Sequence, residues 1–194
     1  MNNIKKIRLF VALSVPEALI SWLEDVQNSL KKKGVRASWS SMETLHLTLK
    51  FMGDTPMETL DSIIKAVQET AAVNKPFKIR ACKVGLFFYG KKARVIWAGV
   101  EWEKDLLPEL YGDLESYLVK AGIPRSKKRF FPHLTLARPK GCGEGRELLE
   151  LLKQFENHRS EGFECNSIDL YESVLKPFGA VHTLVSRAFM KRSF

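Results

Sequence analysis

The tetrapeptide His-Leu-Thr-Leu occurs twice, at 46–49 and 133–136, and takes up two of the chain's four histidines. Polar and apolar residues alternate in each copy, which is the period of a β-strand with one buried face. On a strand, residues i and i+2 share a side. His46 and Thr48 therefore point one way and Leu47 and Leu49 the other; His133 and Thr135 likewise oppose Leu134 and Leu136. Two imidazoles facing one phosphorus atom can divide the acid–base work. One takes a proton from the attacking nucleophile and the other gives a proton to the departing alkoxide, each transfer contributing about 10²–10⁴-fold. Thr48 and Thr135 then offer hydroxyls to the non-bridging oxygens, where charge builds up. A lone strand histidine usually packs, and a lone threonine is merely a good strand former. The repetition at one spacing is what points to chemistry.

Cations flank the second copy. Lys127-Lys128-Arg129 precedes it and Arg138 follows it. Lys128 and Arg138 are the candidate phosphate contacts, although strict alternation puts Arg138 on the opposite face from His133 unless a bulge or strand end intervenes. Phe130, Phe131 or Trp39 could stack on a base; at least one of the phenylalanines is expected in the core. The net charge of +9 and a pI near 9.5 favour a polyanionic partner. His158 reads as a surface residue, and His182, in the last strand, can line a groove.

Several function classes are excluded by what the motifs lack. No HExxH, GxSxG or paired Cys/His metal spacing is present, and Asp54 and Asp169 form no evident metal pair. Gly141-Cys142-Gly143-Glu144-Gly145 has Arg146 where a dinucleotide fingerprint needs its third glycine, and reads as a strand-to-helix loop. Three widely spaced cysteines make neither a disulfide framework nor a zinc site. A site of this kind works without cofactor or metal, on an already strained ester such as a cyclic phosphodiester. No apolar run reaches the ~18 residues of a membrane span. The basic start followed by Leu9–Val15 reads as a first strand, since Pro16 opens a helix, and a cytoplasmic protein is expected.

The elements that must position the motifs are legible from periodicity. Strands are expected at 7–14, 45–51, 77–88, 93–101, 133–138, 163–175 and 180–188. Helices are expected from Pro16 to Lys33 with Gly34 ending the first, from Asp54-Thr55-Pro56 to Val73, at 103–121, and at about 145–156. Each half carries a motif strand, a helix and a strand pair, an approximate duplication. The fold class is α+β: a single bilobal domain over 1–194, two pseudo-symmetric, mainly antiparallel sheets with helices outside and a central groove. Nothing suggests an obligate oligomer, and a monomer is expected.

With both motifs in place the chain resembles the two-histidine phosphoesterase superfamily, and within it the RNA 2′,3′-cyclic phosphodiesterases, also called the 2′-5′ RNA ligase family. The resemblance rests on Arg8–Leu13, His46–Gly53, Arg94–Gly99, Pro132–Arg138, and Leu170–Ser173 followed by Gly179-Ala180. It implies hydrolysis of RNA 2′,3′-cyclic phosphate ends to 2′-phosphates, with His46 as general acid and His133 as the base that activates water. Ligation through a 2′-5′ bond follows when a 5′-hydroxyl replaces water. The implied partner is RNA with cyclic phosphate ends, tRNA halves being one candidate, and no membrane. Two departures stand out: Lys128-Arg129-Phe130 where some relatives carry Arg-x-Phe, and His182 where the tail often has an aromatic. Other readings of the same residues are a phosphodiesterase for a 2′-5′ oligonucleotide, a cyclic nucleotide or an ADP-ribose cyclic phosphate, and an RNA-end-binding module without turnover.

Overall fold

A computed structural model describes residues 5–141, 145–177 and 179–191. Cys142, Gly143 and Glu144 of the expected strand-to-helix loop lie outside the described residues. In chain order the elements are β1 (Lys6–Ser14), α1 (Glu17–Lys32), β2 (Ala37–Trp39), β3 (His46–Pro56), α2 (Leu60–Val73), β4 (Phe77–Tyr89), β5 (Lys92–Trp102), α3 (Leu106–Lys120), β6 (His133–Pro139), α4 (Arg146–Leu152), β7 (Phe163–Cys165), β8 (Ser167–Lys176) and β9 (Gly179–Phe189). Among the described residues no helix is long and apolar enough to cross a membrane.

The strands run β7-β4-β5-β6-β3-β1-β8-β9, with β2 added to the far part of β6, and every pairing is antiparallel. The sheet has two arms. Within each arm the ladders are long; between them a single pair, Leu47 with Leu134, joins β3 to β6. The two motif strands are therefore the inner edges of the arms, the α+β bilobal arrangement with a central seam. Helices α2 and α3 pack together behind the β3-β1-β8-β9 arm, with α2 against β8 and β9, while α4 lies on β4 and α1 reaches β6.

The expected duplication extends to burial. In both β3 and β6 the order is half-buried His, buried Leu, half-buried Thr, then two buried residues in succession, then an exposed one. The neighbouring strand skips the second leucine in each case: Val11 pairs with Lys50 and Ala12 with Thr48, while Ile96 pairs with Ala137 and Trp97 with Thr135. Both motif strands thus carry a bulge at the same place, which reverses the side-chain alternation beyond it.

Each bulge is held by a different buried polar group. On β6 the carbonyl of Leu136 accepts from the Gln27 side chain of α1 (3.0 Å) and from the Ser40 N–H (2.9 Å), and Gln27 also donates to the Ser40 carbonyl. On β3 the inward turn buries Lys50. Its ammonium meets Glu115 of α3 at 2.8 Å and the Pro124 carbonyl at 2.7 Å, both charged side chains being only 4% exposed. Glu115 also accepts from the Ser126 N–H and hydroxyl and from Tyr111, whose ring stacks on Phe130 at 4.1 Å. Burial pushes the Glu115 carboxyl up, but the hydrogen bonds from Lys50 and Ser126 outweigh it and hold it below its usual range. One buried ion pair thereby ties the first motif strand to the segment that leads into the second.

Two local expectations are corrected, and one strand is added. Asp54-Thr55-Pro56 does not start a helix. β3 continues through it because Thr55 pairs with Ile7 of β1 and Pro56 with Lys6; a short 3-10 turn at Met57–Thr59 then leads into α2. The strand expected over 163–175 is two, because Phe163–Cys165 pairs with β4 in one arm while Ser167–Lys176 pairs with β1 and β9 in the other. The short β2 had no signal of its own and exists because β6 offers it an edge.

Glu115→Leu strands the Lys50 ammonium in the core, so it should cost about 3–5 kcal/mol in urea unfolding. The double variant Lys50→Met with Glu115→Leu removes both charges and should regain most of that loss. Equal destabilisation by the single and double variants would show that the ion pair does not set the effect.

Candidate active site

At the seam Leu47 and Leu134 are buried, so the flanking His and Thr side chains of both strands emerge on the other face. Continuing the antiparallel register sets His46 level with Thr135 and Thr48 level with His133. The four motif side chains thus surround one point, related by an approximate twofold axis through the leucine pair.

Both histidines are oriented by the same device. His46 Nδ1 lies 2.7 Å from the Thr44 carbonyl and His133 Nδ1 lies 2.7 Å from the Phe131 carbonyl, in each case two residues back. A carbonyl only accepts, so Nδ1 carries the proton in both rings. Nε2 is left as the working atom: a lone pair in the neutral ring, an N–H in the charged one. Burial lowers both pKa values from the ordinary imidazole value, while the carbonyl bonds act against it by favouring the imidazolium. The remaining causes differ. His182 and His133 add to the lowering at His46, and Arg138 adds to it at His133.

Arg138 is a correction to strict alternation. The bulge at Leu136 turns Ala137 inward and Arg138 outward, onto the exposed side that His133 and Thr135 share. Phe51 is its counterpart on β3. Lys128 and Arg129 lie in an irregular, exposed segment rather than on a strand, so alternation decides nothing about either, and neither has a partner among the described residues. The structure brings together His46, Thr48, His133, Thr135 and Arg138; it does not bring Lys128 into contact with them.

Aromatic rings line both flanks. Phe87 stands edge-on to His133 at 4.8 Å, and Phe131 packs on Phe87 and Trp97. Gly85 has to be glycine here, because a Cβ would sit 2.3 Å from the Trp97 ring. Of the aromatics expected to stack on a base, Phe130 is occupied with Tyr111, Trp39 packs against the core under Lys31, and Phe131 remains exposed beside His133. On the other flank the buried ring of Phe10 is surrounded by His46 (4.7 Å), Phe51 (5.8 Å), Tyr171 (5.2 Å) and His182 (4.9 Å). Beneath them Asp169, fully buried, accepts from Ser14, from Tyr171 (3.0 Å) and from two nitrogens of Arg187 (2.8 Å each). Ser14 pairs with His46 across the ladder, so this network fixes the strand that backs the first histidine. Sequence reasoning missed Ser14 and Arg187, and held Tyr171 only as part of the Leu170–Ser173 tail, without a role. The three are single residues on three strands, and only the topology assembles them. His158 is exposed, as expected.

Among the described residues no group of three or more His, Cys, Asp or Glu is placed to hold a metal ion. The arrangement provides two proton-carrying nitrogens, two hydroxyls and one guanidinium on one face of the seam. Comparison with known proteins agrees with this geometry. The chain is 32% identical over 182 residues to the RNA 2′,3′-cyclic phosphodiesterase of Methanothermobacter thermautotrophicus, covering 92% of this chain and 96% of the relative. It is 29% identical over 187 residues to that of Aquifex aeolicus, covering 96% and 98%. The crystal structure of TT0787 from Thermus thermophilus superposes with a TM-score of 0.78 at 26% identity, over 95% of this chain and 98% of that one. The family profile described as LigT like Phosphoesterase matches residues 11–97 and 100–181. The match spans both motifs and both arms, and the chain belongs to the LigT-like phosphoesterase family.

Proposed function

We infer that the protein hydrolyses 2′,3′-cyclic phosphate ends of RNA to 2′-phosphates, with protein groups alone supplying acid and base. The observation that carries this reading is the matched pair of Nδ1–carbonyl bonds, which orients two Nε2 atoms at one strand crossing. The names of the relatives supply the substrate class. In the reaction His133 Nε2 takes a proton from water as its oxygen attacks phosphorus. The bond from phosphorus to O3′ breaks, and His46 Nε2–H protonates O3′ as it leaves. The Thr48 and Thr135 hydroxyls donate to the non-bridging oxygens, where charge accumulates. Arg138 adds a guanidinium on the same face, and Lys128, on its exposed segment, meets the phosphate chain further out. With a 5′-hydroxyl in place of water, the same steps form a 2′-5′ bond. Both motifs come from one chain, so a monomeric bilobal domain suffices. The buried free thiols of Cys82 and Cys165 suit a reducing compartment such as the cytoplasm.

An oligoribonucleotide ending in a 2′,3′-cyclic phosphate should be converted to the 2′-phosphate in EDTA. His46→Ala and His133→Ala should each lose about 10²–10⁴-fold, and Thr48→Val and Thr135→Val about 10²-fold. Absence of conversion by the wild type, or undiminished conversion by the histidine variants, overturns the reading.

Arg138→Gln tests which histidine is which. Removing the guanidinium relieves the lowering at His133, so the His133 pKa rises. A base works only when neutral, so the acid limb of the kcat/KM pH profile should move upward while the alkaline limb stays. Movement of the alkaline limb instead would exchange the two roles.

A further inference from the structure

His182 is oriented in the opposite sense from the motif histidines. Its Nδ1 is buried and has no hydrogen-bond partner, and the ring stands edge-on to His46 at 5.4 Å and to Phe10 at 4.9 Å. An N–H sealed at that position would forgo its hydrogen bond, at a cost of about 1–3 kcal/mol. The neutral ring therefore carries its proton on Nε2. Burial lowers the His182 pKa, and no backbone carbonyl opposes that effect as one does at His46 and His133. His46 and His133 in their neutral state present an acceptor; His182 presents a neutral N–H donor.

Its place in the sheet says what that donor meets. Across β6-β3-β1-β8-β9, His182 lies on the side of His46 away from His133. Phe51, 70% exposed, Tyr171 and the exposed Leu184, which pairs with Tyr171, share this flank. Arg187, the nearby cation, is held by Asp169. The His133 flank has aromatic rings of its own, Phe87 and the exposed Phe131, but it also carries the guanidinium of Arg138. Phosphate groups suit the cationic side. A flat group with apolar faces and acceptors at its edge suits the other.

We propose that this flank of His46 is a nucleobase subsite, in which the base of the nucleotide bearing the cyclic phosphate lies against Phe51 and Tyr171 and accepts a hydrogen bond from His182 Nε2. The proposal rests on the RNA-end reading above and adds the orientation of the end: base beyond His46, phosphates toward the His133 side.

Long-range ¹⁵N–¹H spectra of the full chain should show the neutral His46 and His133 protonated at Nδ1 and His182 at Nε2. Calorimetry then compares adenosine 2′-monophosphate with inorganic phosphate. His182→Phe keeps the ring against His46 and Phe10 and removes the donor. It should weaken the nucleotide about tenfold, the equivalent of one ordinary hydrogen bond, and leave inorganic phosphate unchanged. His182→Gln, which places an amide near the former Nε2, should recover most of the loss, and His182→Asn should not. A proton found on Nδ1, a parallel loss for inorganic phosphate, or full nucleotide affinity in His182→Phe each overturns the proposal. A wild type that binds the nucleotide through His182 yet never opens a cyclic phosphate would sink the hydrolytic reading and leave the subsite standing.

Discussion

The leucines of the two motifs decide where the histidines go. Leu47, Leu49, Leu134 and Leu136 are buried in the common core, and burying each side chain is worth about 1.5–3 kcal/mol. On a strand that burial leaves His46, Thr48, His133 and Thr135 no choice of face. A slip of one residue would carry both imidazoles into the core and expose four leucines. The register of one pair, Leu47 with Leu134, therefore fixes the geometry of the four polar motif side chains, and the hydrophobic effect enforces it. The helices and outer strands support that crossing. Gln27 satisfies the carbonyl freed by one bulge, and Glu115 neutralises the lysine turned inward by the other.

The duplicated units differ where difference is chemically useful. After the shared pattern, β3 continues with Lys50 and Phe51, and β6 with Ala137 and Arg138. The first copy converts its bulge into a buried tether to the approach of the second motif. The second converts the same bulge into an outward guanidinium beside His133. Two side chains with identical backbone bonds thereby acquire different surroundings: a second imidazole, His182, beside His46, and a fixed positive charge near His133. Unequal environments are what allow two identical groups to take opposite roles.

Much of this could be read from the sequence because the deciding forces are local and periodic. The motif strands, the first helix from Pro16 to Gly34 and the hairpin around Gly90 all declare themselves by spacing and end signals. What stayed hidden depends on distant partners. Asp54-Thr55-Pro56 has the local chemistry of a helix start, yet pairing with β1 overrides it. Ala37–Trp39 is too short for a period and becomes a strand only beside β6. Arg138 obeyed alternation on paper; the bulge that turns it outward is held by Gln27, more than a hundred positions away. The partnership of Lys50 with Glu115 and that of Asp169 with Arg187 are likewise tertiary facts, invisible to spacing. His182 could be placed in a groove from its strand, but its tautomer follows only from the burial of one nitrogen.

On the proposed assignment, the electrostatics of the groove make the acid depend on the charge of the substrate. Burial and neighbouring positive groups hold both motif histidines below the ordinary imidazole pKa, which suits a base and handicaps an acid. The acid needs an imidazolium, and the Thr44 carbonyl bonded to His46 Nδ1 favours one without overcoming desolvation. A phosphodiester anion supplies the missing attraction, because an opposite charge within a few ångströms raises the pKa of the ring that faces it. The same anion also faces Arg138, whose positive charge opposes that rise at His133. On the proposed assignment such an anion favours the imidazolium at His46, while Arg138 opposes the same change at His133.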